Sequence, residues 1–295
     1  MIDKVLSEID KEFNALGPEI INKIIDPEVA EKIDRIKIPR NDPFGINKDT
    51  IKFASVMAGF LYKYWHRVDI FGINNIPDTG AAIIVPNHGG GILPLDAAFI
   101  ASAVILEHSQ PRLVRTLVER FLPTLPFVYT FMSRVGQIVG TYENAEIILD
   151  EGELLQIFPE GAAGLTKPYM KYYDLEDFNV GFVELAIKKK VPIIPTGVTG
   201  SHEQAPVLFD FKPLAKLLKM PNFPVTPFWP LFGPLGAITL PSKYRIIFGR
   251  PIYFDQYTEE DLNNTELVKE LVDKVKKEVE KLINIGLEMR PAPFL

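Results

Sequence analysis

The sequence contains no cysteine. Disulfides, zinc-thiolate centres and a cysteine nucleophile are excluded, and with them any route through a cysteine acyl-enzyme. It also has no uninterrupted apolar run of bilayer length. The uncharged stretch Phe53 to Tyr62 is too short to span. The charge-free stretch from residue 220 to 242 is broken by prolines at 221, 224, 227, 230, 234 and 241, which prevent the continuous helix a span requires. Basic residues are outnumbered by acidic ones, 32 to 38. A net charge of -6 with no basic stripe argues against nucleic-acid binding. The opening Met-Ile-Asp-Lys-Val-Leu-Ser-Glu carries acidic residues and no apolar core, which is neither a signal peptide nor a transit peptide. The expectation is a protein kept in the cytoplasm.

A chain of 295 residues with 47% apolar content can bury a substantial core, enough for one large α/β domain and an appendage. Residues 2 to 37 place Val5, Ile9, Phe13, Ile20, Ile24, Ile25, Ile33 and Ile36 at roughly helical spacing, which predicts two or three short helices. Pro39, Asn41, Pro43 and Gly45 then form a breaker-rich linker. We therefore divide the chain into an N-terminal helical segment, 1–47, and a main domain, 48–295. Residues 49 to 65 read as a helix with a broad apolar face. Two readings stand for it: core packing, or an interfacial helix with Tyr62, Tyr64 and Trp65 at headgroup level.

From residue 68 strand and helix patterns alternate. Strands are expected near 68–72, 81–85, 112–118, 137–139, 154–158, 192–198 and 244–248. Helices are expected near 94–107, 124–133, 143–151 and 180–190, with a last amphipathic one at 259–284. This alternation predicts a mostly parallel sheet covered by helices, with ligands at the carboxyl ends of the strands. The loops after residues 85, 139, 158 and 198 are expected to share one cleft.

The centre of the pattern is Ile83-Ile-Val-Pro-Asn-His-Gly-Gly-Gly-Ile-Leu-Pro-Leu-Asp96. An apolar strand ends at Pro86, Pro94 opens a helix, and three glycines between them allow positive φ and close approach of backbone to a ligand. His88 and Asp96 are joined by this one connection. That suits a general base (His88) whose ring is oriented by a carboxylate (Asp96), though a satisfied histidine in a glycine-rich turn is the plainer alternative. Downstream, Phe158-Pro-Glu-Gly161 follows another apolar strand. Its Glu160, freed by Gly161, could accept hydrogen bonds from hydroxyls in the cleft or belong to a simple turn. Arg134 could grip a phosphate in bidentate fashion or lie on the surface. His202 and Glu203 could lie at the cleft rim.

These blocks resemble the glycerolipid (lysophospholipid) acyltransferase superfamily. Asn87-His88 with Asp96 is similar to that family's first block, in a glycine-extended Leu-Pro-x-Asp variant resembling the monoacylglycerol acyltransferase-like branch. Phe158 to Gly161 is similar to its Phe-Pro-Glu-Gly signature, Arg134 to Ile138 to its Gly-x-Ile block, and Val191 to Val198 to its Val-Pro-Ile-x-Pro strand. The resemblance covers roughly residues 66 to 252. It implies a glycerol-3-phosphate acyltransferase-like α/β fold and transfer of an acyl group from acyl-CoA or acyl carrier protein to a lipid hydroxyl, with no metal or redox cofactor. It further implies that Glu160 holds the acceptor. Asn87, Gly89, Gly90 and Gly161 are expected around the substrate, with backbone N–H groups of the 89–91 loop facing the oxyanion. After Gly161 comes Ala-Ala-Gly where phosphate-using members of the family typically carry an arginine. Lys167 is the nearest downstream cation, so a neutral lipid alcohol is the expected acceptor.

The proline-rich stretch 220–242, with Phe223, Phe228, Trp229, Leu231 and Phe232, is expected to be an irregular apolar flap that meets a membrane or covers an acyl-chain tunnel. The alternative is a loop packed wholly onto the domain. Lys212, Lys216, Lys219, Lys243 and Arg245 flank it and could snorkel to anionic headgroups, which places the protein peripherally on the inner face of a membrane. Two rivals to acyl transfer remain. One is an α/β-hydrolase-type esterase using His-Gly-Gly-Gly as an oxyanion loop, but the Gly-x-Ser-x-Gly elbow it requires is absent. The other is a non-catalytic lipid-binding protein.

Overall fold

A computed structural model describes residues 20–91, 93–121, 124, 128–290 and 292–294. Val5, Ile9 and Phe13 lie outside the described residues, as does part of the expected helix 124–133. In chain order the main elements are α1 Pro27–Arg35, α2 Lys48–Phe60, β1 Asp69–Phe71, β2 Ala82–Pro86, α3 Leu95–Leu106, β3 Val114–Val118, α4 Val128–Arg134, β4 Gln137–Val139, α5 Tyr142–Asp150, β5 Leu154–Gln156, α6 Ala162–Leu165, α7 Gly181–Lys189 and β6 Ile193–Thr199. They are followed by β7 Phe209–Asp210, α8 Lys212–Leu217, β8 Pro224–Val225, β9 Arg245–Phe248 and α9 Thr265–Glu288.

Each expected strand is present, and the seven form one sheet in the order β1-β9-β6-β2-β5-β3-β4. Strands β6, β2, β5, β3 and β4 run parallel, while β9 pairs antiparallel to β6 and carries β1 on its outer edge. The central strands β2 and β6 are buried along their whole length, which is why their sequences read as continuous apolar runs rather than alternating ones. Alternate residues still serve opposite faces. Ile83 and Val85 meet Ile148, Phe182, Val183, Val275 and Val279 on one side. Ala82 and Ile84 meet Phe99, Ile100, Ala103 and Val104 on the other. Each such fully buried aliphatic side chain stabilises the fold by about 1.5–3 kcal/mol.

Helix α3 (Leu-Asp-Ala-Ala-Phe-Ile-Ala-Ser-Ala-Val-Ile-Leu) is apolar nearly all round, and it is accordingly buried on most of its surface. Helix α9 instead has an apolar stripe from Val268 to Ile283, and it lies against β6 across Gly197. A Cβ at Gly197 would stand 2.7 Å from the backbone of Leu282 and Ile283, so only glycine permits this approach.

The described residues before 48 pack onto the main body. Ile21, Ile25, Ile33 and Ile36 share an apolar cluster with Ile51, Ile105 and Leu113. The Lys32 ammonium donates to the Leu106 carbonyl at 2.7 Å. Asp42, in the linker, holds the buried Arg115 at 2.5 Å, and Arg115 also donates to Glu153. The stretch expected to be one helix from 49 to 65 is α2 followed by a single π-helical turn, Leu61–Trp65. Ile51 and Tyr62 are buried, as core packing requires and contrary to a headgroup position for Tyr62, whereas Met57, Phe60 and Tyr64 face outward.

Candidate active site

Strand β2 ends in Pro86, and Asn87 is the first residue of the loop beyond it. The Asn87 amide donates to the Val198 carbonyl at 2.9 Å and accepts from the Val198 N–H at 2.7 Å. Both ends of this side chain are used in fastening the loop to the neighbouring strand β6. Asn87 is therefore a brace and not the substrate contact expected from the sequence.

His88 follows. Its Nδ1 lies 2.8 Å from Asp96 Oδ2, and the ring stacks on Phe158 with centroids 3.9 Å apart. Asp96 sits in the first turn of α3 and is fully buried. It also accepts from the Gly89 N–H at 2.9 Å and, through Oδ1, from the Ala97 N–H at 2.8 Å. A carboxylate fixed at a helix N-terminus by these donors holds the Nδ1 side of the imidazole, and Nε2 is left out of the pair. The glycine-extended spacing thus still closes the His88–Asp96 pair, because the extra residues form a loop that doubles back to the helix start.

Glu160 does not project into the cleft as an acceptor for substrate hydroxyls. Its Oε1 accepts from the His88 N–H at 2.9 Å, its Oε2 accepts from the Glu176 N–H at 2.8 Å, and Oε2 is also paired with the Lys167 ammonium. Both Glu160 and Lys167 are buried. The Phe-Pro-Glu-Gly block therefore acts from behind: Phe158 supports the ring of His88 and Glu160 fixes its backbone. Gly161, at φ +56, opens α6, and Gly164 on that short helix comes so close that a Cβ there would lie 2.8 Å from the His88 Cβ.

The two cations expected near a substrate phosphate are placed otherwise. Lys167 is engaged by Glu160. Arg134 ends α4 on the amino side of β4, and its carbonyl accepts from the Asn47 N–H at 3.0 Å. Since β4 is the edge strand, with β5 and β3 between it and β2, Arg134 lies at the opposite end of the sheet from the loops after β2, β5 and β6, and the loop after residue 139 lies three strands from β2.

The β6 loop contributes more than the sequence suggested. His202 is buried rather than solvated, with its ring stacked on Tyr172 at 4.9 Å and edge-on to Tyr173. Burial, and after it the nearby Lys167 and His88, holds its pKa well below the usual histidine value, so His202 stays neutral. Glu203 is not at a rim: it accepts from Tyr173 at 2.6 Å and pairs with Arg290. Gly89 and Gly90 are needed as glycines by this same loop. A Cβ on Gly89 would stand 2.5 Å from Ser201 Oγ, and one on Gly90, whose φ is +107, would stand 2.5 Å from Gln204 Nε2. Among the described residues, no three His, Asp or Glu side chains converge as metal ligands would.

Residues 67–199, which contain the whole of this cluster except the β6 loop, match the sequence model of the family described as Acyltransferase. That segment is thus similar to the acyltransferase family. An uncharacterized protein of Mycobacterium leprae is 41% identical over 76% of this chain and 61% of its own length. The human protein named DGAT1/2-independent enzyme synthesizing storage lipids is 28% identical over 71% of this chain and 62% of its own. The chain thus spans less than two thirds of the length of these curated relatives. Among solved structures, the 1-acyl-sn-glycerophosphate (LPA) acyltransferase PlsC of Thermotoga maritima aligns over 86% of this chain and 87% of its own, with 16% identity and a TM-score of 0.47.

Proposed function

We propose that the chain is an O-acyltransferase that moves a fatty acyl group from an acyl thioester, on coenzyme A or acyl carrier protein, to the hydroxyl of a neutral lipid alcohol. The observation that carries this reading is the His88–Asp96 pair at the carboxyl end of β2, in which Asp96 holds one ring nitrogen and leaves the other for a substrate proton. His88 Nε2 takes the proton of the acceptor hydroxyl as its oxygen attacks the thioester carbonyl. The tetrahedral intermediate then collapses, the C–S bond breaks, and the departing thiolate takes that proton back from His88. Backbone N–H groups of the glycine loop beyond Gly89, whose own N–H is held by Asp96, suit the negative charge that develops on the carbonyl oxygen. The scheme requires neither metal nor redox cofactor.

A neutral acceptor is supported by the engagement of Lys167 with Glu160 and by the position of Arg134 beside the edge strand, since neither offers a phosphate a fork or a point charge at His88. The storage-lipid name of the human relative agrees with it. Access of such acceptors would be from a membrane surface, through the exposed apolar side chains of the 207–240 region. No helix among the described residues is long and apolar enough to cross a bilayer.

The deciding assay supplies acyl-CoA or acyl carrier protein thioesters with monoacylglycerol, a fatty alcohol and lysophosphatidate at matched surface concentration, following thiol release and ester formation. Ester formed on the neutral alcohols at least as fast as on lysophosphatidate supports the reading. Thiol release without ester would indicate a hydrolase, and binding without turnover a lipid-binding protein. A strong preference for lysophosphatidate would overturn the neutral-acceptor part alone.

A further inference from the structure

Gln204 lies in the β6 loop, has no exposed surface, and occupies a position where most residues would serve only packing. Its side-chain amide reaches across to the glycine loop, donating from Nε2 to the Gly90 carbonyl at 3.1 Å and to the Leu93 carbonyl at 2.6 Å. The other end of the amide accepts from the Tyr244 hydroxyl at 2.7 Å. Two carbonyls on one side and a hydroxyl donor on the other leave the amide a single orientation. Tyr244 is fully buried, and burial keeps its pKa well above the usual tyrosine value, so it remains a hydroxyl with a proton to give. The backbone carbonyl of Gln204 accepts in turn from the Leu240 N–H at 2.7 Å, at the end of the apolar flap.

This bonding has a directional consequence. Across a trans peptide the C=O of one residue and the N–H of the next point in opposite directions. With the Gly90 carbonyl held toward Gln204, the Gly91 N–H is turned to the opposite side of the loop. A glycine pair is the least constrained peptide the chain can build: Gly90 and Gly91 both have positive φ, at +107 and +63, and nothing in their own side chains prevents the peptide plane from flipping. Asp96 fixes the Gly89 N–H and Glu160 fixes the His88 N–H, whereas the Gly90–Gly91 peptide is held at its carbonyl by Gln204 at 3.1 Å and by a longer bond, 3.4 Å, from the Leu93 N–H within the loop.

We infer that Gln204 is a positioning residue for acyl transfer, which holds the Gly90–Gly91 peptide so that the Gly91 N–H faces the carbonyl oxygen of the thioester as it becomes an oxyanion. The inference rests on the acyl-transfer reading above. A donor of this kind acts on the transition state more than on the bound substrate, so its loss lowers kcat by about 10²–10³-fold and leaves KM almost unchanged.

The test measures kcat and KM for acyl-CoA, at saturating neutral alcohol, in full-length wild type, Gln204→Leu and Tyr244→Phe. Thermal melts are recorded alongside. Gln204→Leu keeps the volume and removes both donors. Tyr244→Phe keeps Gln204 but frees its amide to rotate. The expected result is a fall in kcat by about 10²-fold or more in Gln204→Leu and by several-fold in Tyr244→Phe, each with KM within about twofold of wild type. Full kcat in a folded Gln204→Leu protein overturns the inference. So does activity in either variant that falls only in proportion to the folded fraction. If Gln204→Leu does not fold, Tyr244→Phe decides alone: a reduced kcat at constant KM supports the inference, and an unchanged kcat overturns it. Wild type without acyl transfer would instead be a failure of the proposed function, so the two failures are distinguishable.

Discussion

The glycine loop at 87–94 and the flap around 207–240 are both rich in helix-breaking residues, yet they end in opposite states. In the glycine loop the charged and amide side chains are hydrogen-bonded and sealed: Asn87 to β6, Asp96 to three donors, Glu160 to two backbone N–H groups and a lysine. In the flap, Leu208, Phe209, Phe211, Leu217, Leu231, Phe232, Leu235 and Ile238 stand in the open. Polar commitment fixes one geometry, because breaking any buried hydrogen bond costs about 1–3 kcal/mol of desolvation. Exposed apolar area fixes none by itself and is stabilised by whatever removes it from water. On the proposed function, the first region positions atoms and the second is the one offered to a surface.

The largest expected effect comes from removing the reactive group of the sealed region. His88→Ala should lower acyl transfer by about 10⁴-fold with the melting temperature near wild type, and Asp96→Asn should retain more activity because the imidazole survives without its orienter. Steady-state rates on purified, folded variants check both. A folded His88→Ala protein with wild-type turnover would remove His88 from the mechanism.

Next in size is the Glu160–Lys167 pair, which tests whether sealing the loop is a matter of charge. Lys167→Met leaves Glu160 buried without its cation, and loss of one partner from a buried pair costs about 3–5 kcal/mol. The double change Glu160→Gln with Lys167→Met should recover part of that, since the amide can still accept from the His88 N–H. Chemical denaturation of the two single variants and the double gives the coupling energy. Strict additivity would mean that the two side chains stabilise the fold independently.

How far the sequence showed all this depends on whether a feature is local. The strands were legible because burial makes them apolar runs between breakers, and His88 with Asp96 was legible because strand end, loop and helix start are contiguous. Arg134 was misplaced because its distance from His88 depends on sheet order, and chain order does not reveal that β4 is the edge strand. Lys167 was read as a cation on offer because its partner is chosen by the turn of α6. Asn87 and Glu160 were assigned to substrate because a sequence shows a hydrogen-bonding group and not the backbone groups that already use it. Gln204 was overlooked altogether. Its only local signal was the polar run Ser201-His-Glu-Gln204 directly after a fully buried strand, where a plain surface loop and a second wall of the site look alike.

A smaller effect ties the two regions through acid. His66 sits where the flap returns to the body, with Nδ1 3.0 Å from the Ser242 carbonyl and Nε2 3.0 Å from Thr239 Oγ1. Burial pushes its pKa down to about 4, the Ser242 bond opposing and the Arg67 cation adding to the fall. The folded pKa lies below that of the unfolded chain, so the unfolded state binds more protons between the two values. Stability is therefore fully present above about pH 6.5 and is lost as pH falls toward 4, by on the order of 2–3 kcal/mol. His202, depressed in the same direction, adds to it. Denaturation midpoints between pH 7 and 4.5 should fall more steeply for wild type than for His66→Gln. Equal slopes would assign the acid loss to other groups.

The smallest expected effect on the folded protein, and the one that bears most on the open region, concerns the flap itself. Trp229 is only half-buried, yet its ring packs near Phe223 at 6.1 Å and its indole nitrogen is enclosed, so it belongs to the flap's own support. Lys243 and Arg245 are likewise occupied, both by Asp69. The free surface is instead Leu231, Phe232 and Leu235, exposed by 82%, 61% and 70%, with the exposed Lys212, Lys216 and Lys219 at one side of the flap. Each of the three apolar side chains contributes up to about 1.5–3 kcal/mol if lipid removes it fully from water, and each lysine near an anionic surface about 1 kcal/mol. Replacing Leu231, Phe232 and Leu235 together by Ser should then weaken vesicle binding by about tenfold or more while the melting temperature stays near wild type, because these side chains are mostly in water and only Phe232 has a ring contact, with Phe228. Replacing the three lysines by Gln should weaken binding to anionic vesicles, spare neutral ones, and remove the salt dependence. Sedimentation with vesicles of each composition reads both. Unchanged sedimentation in the triple Ser variant would mean that the flap meets no membrane, and that the difference between the sealed loop and the open one has another use.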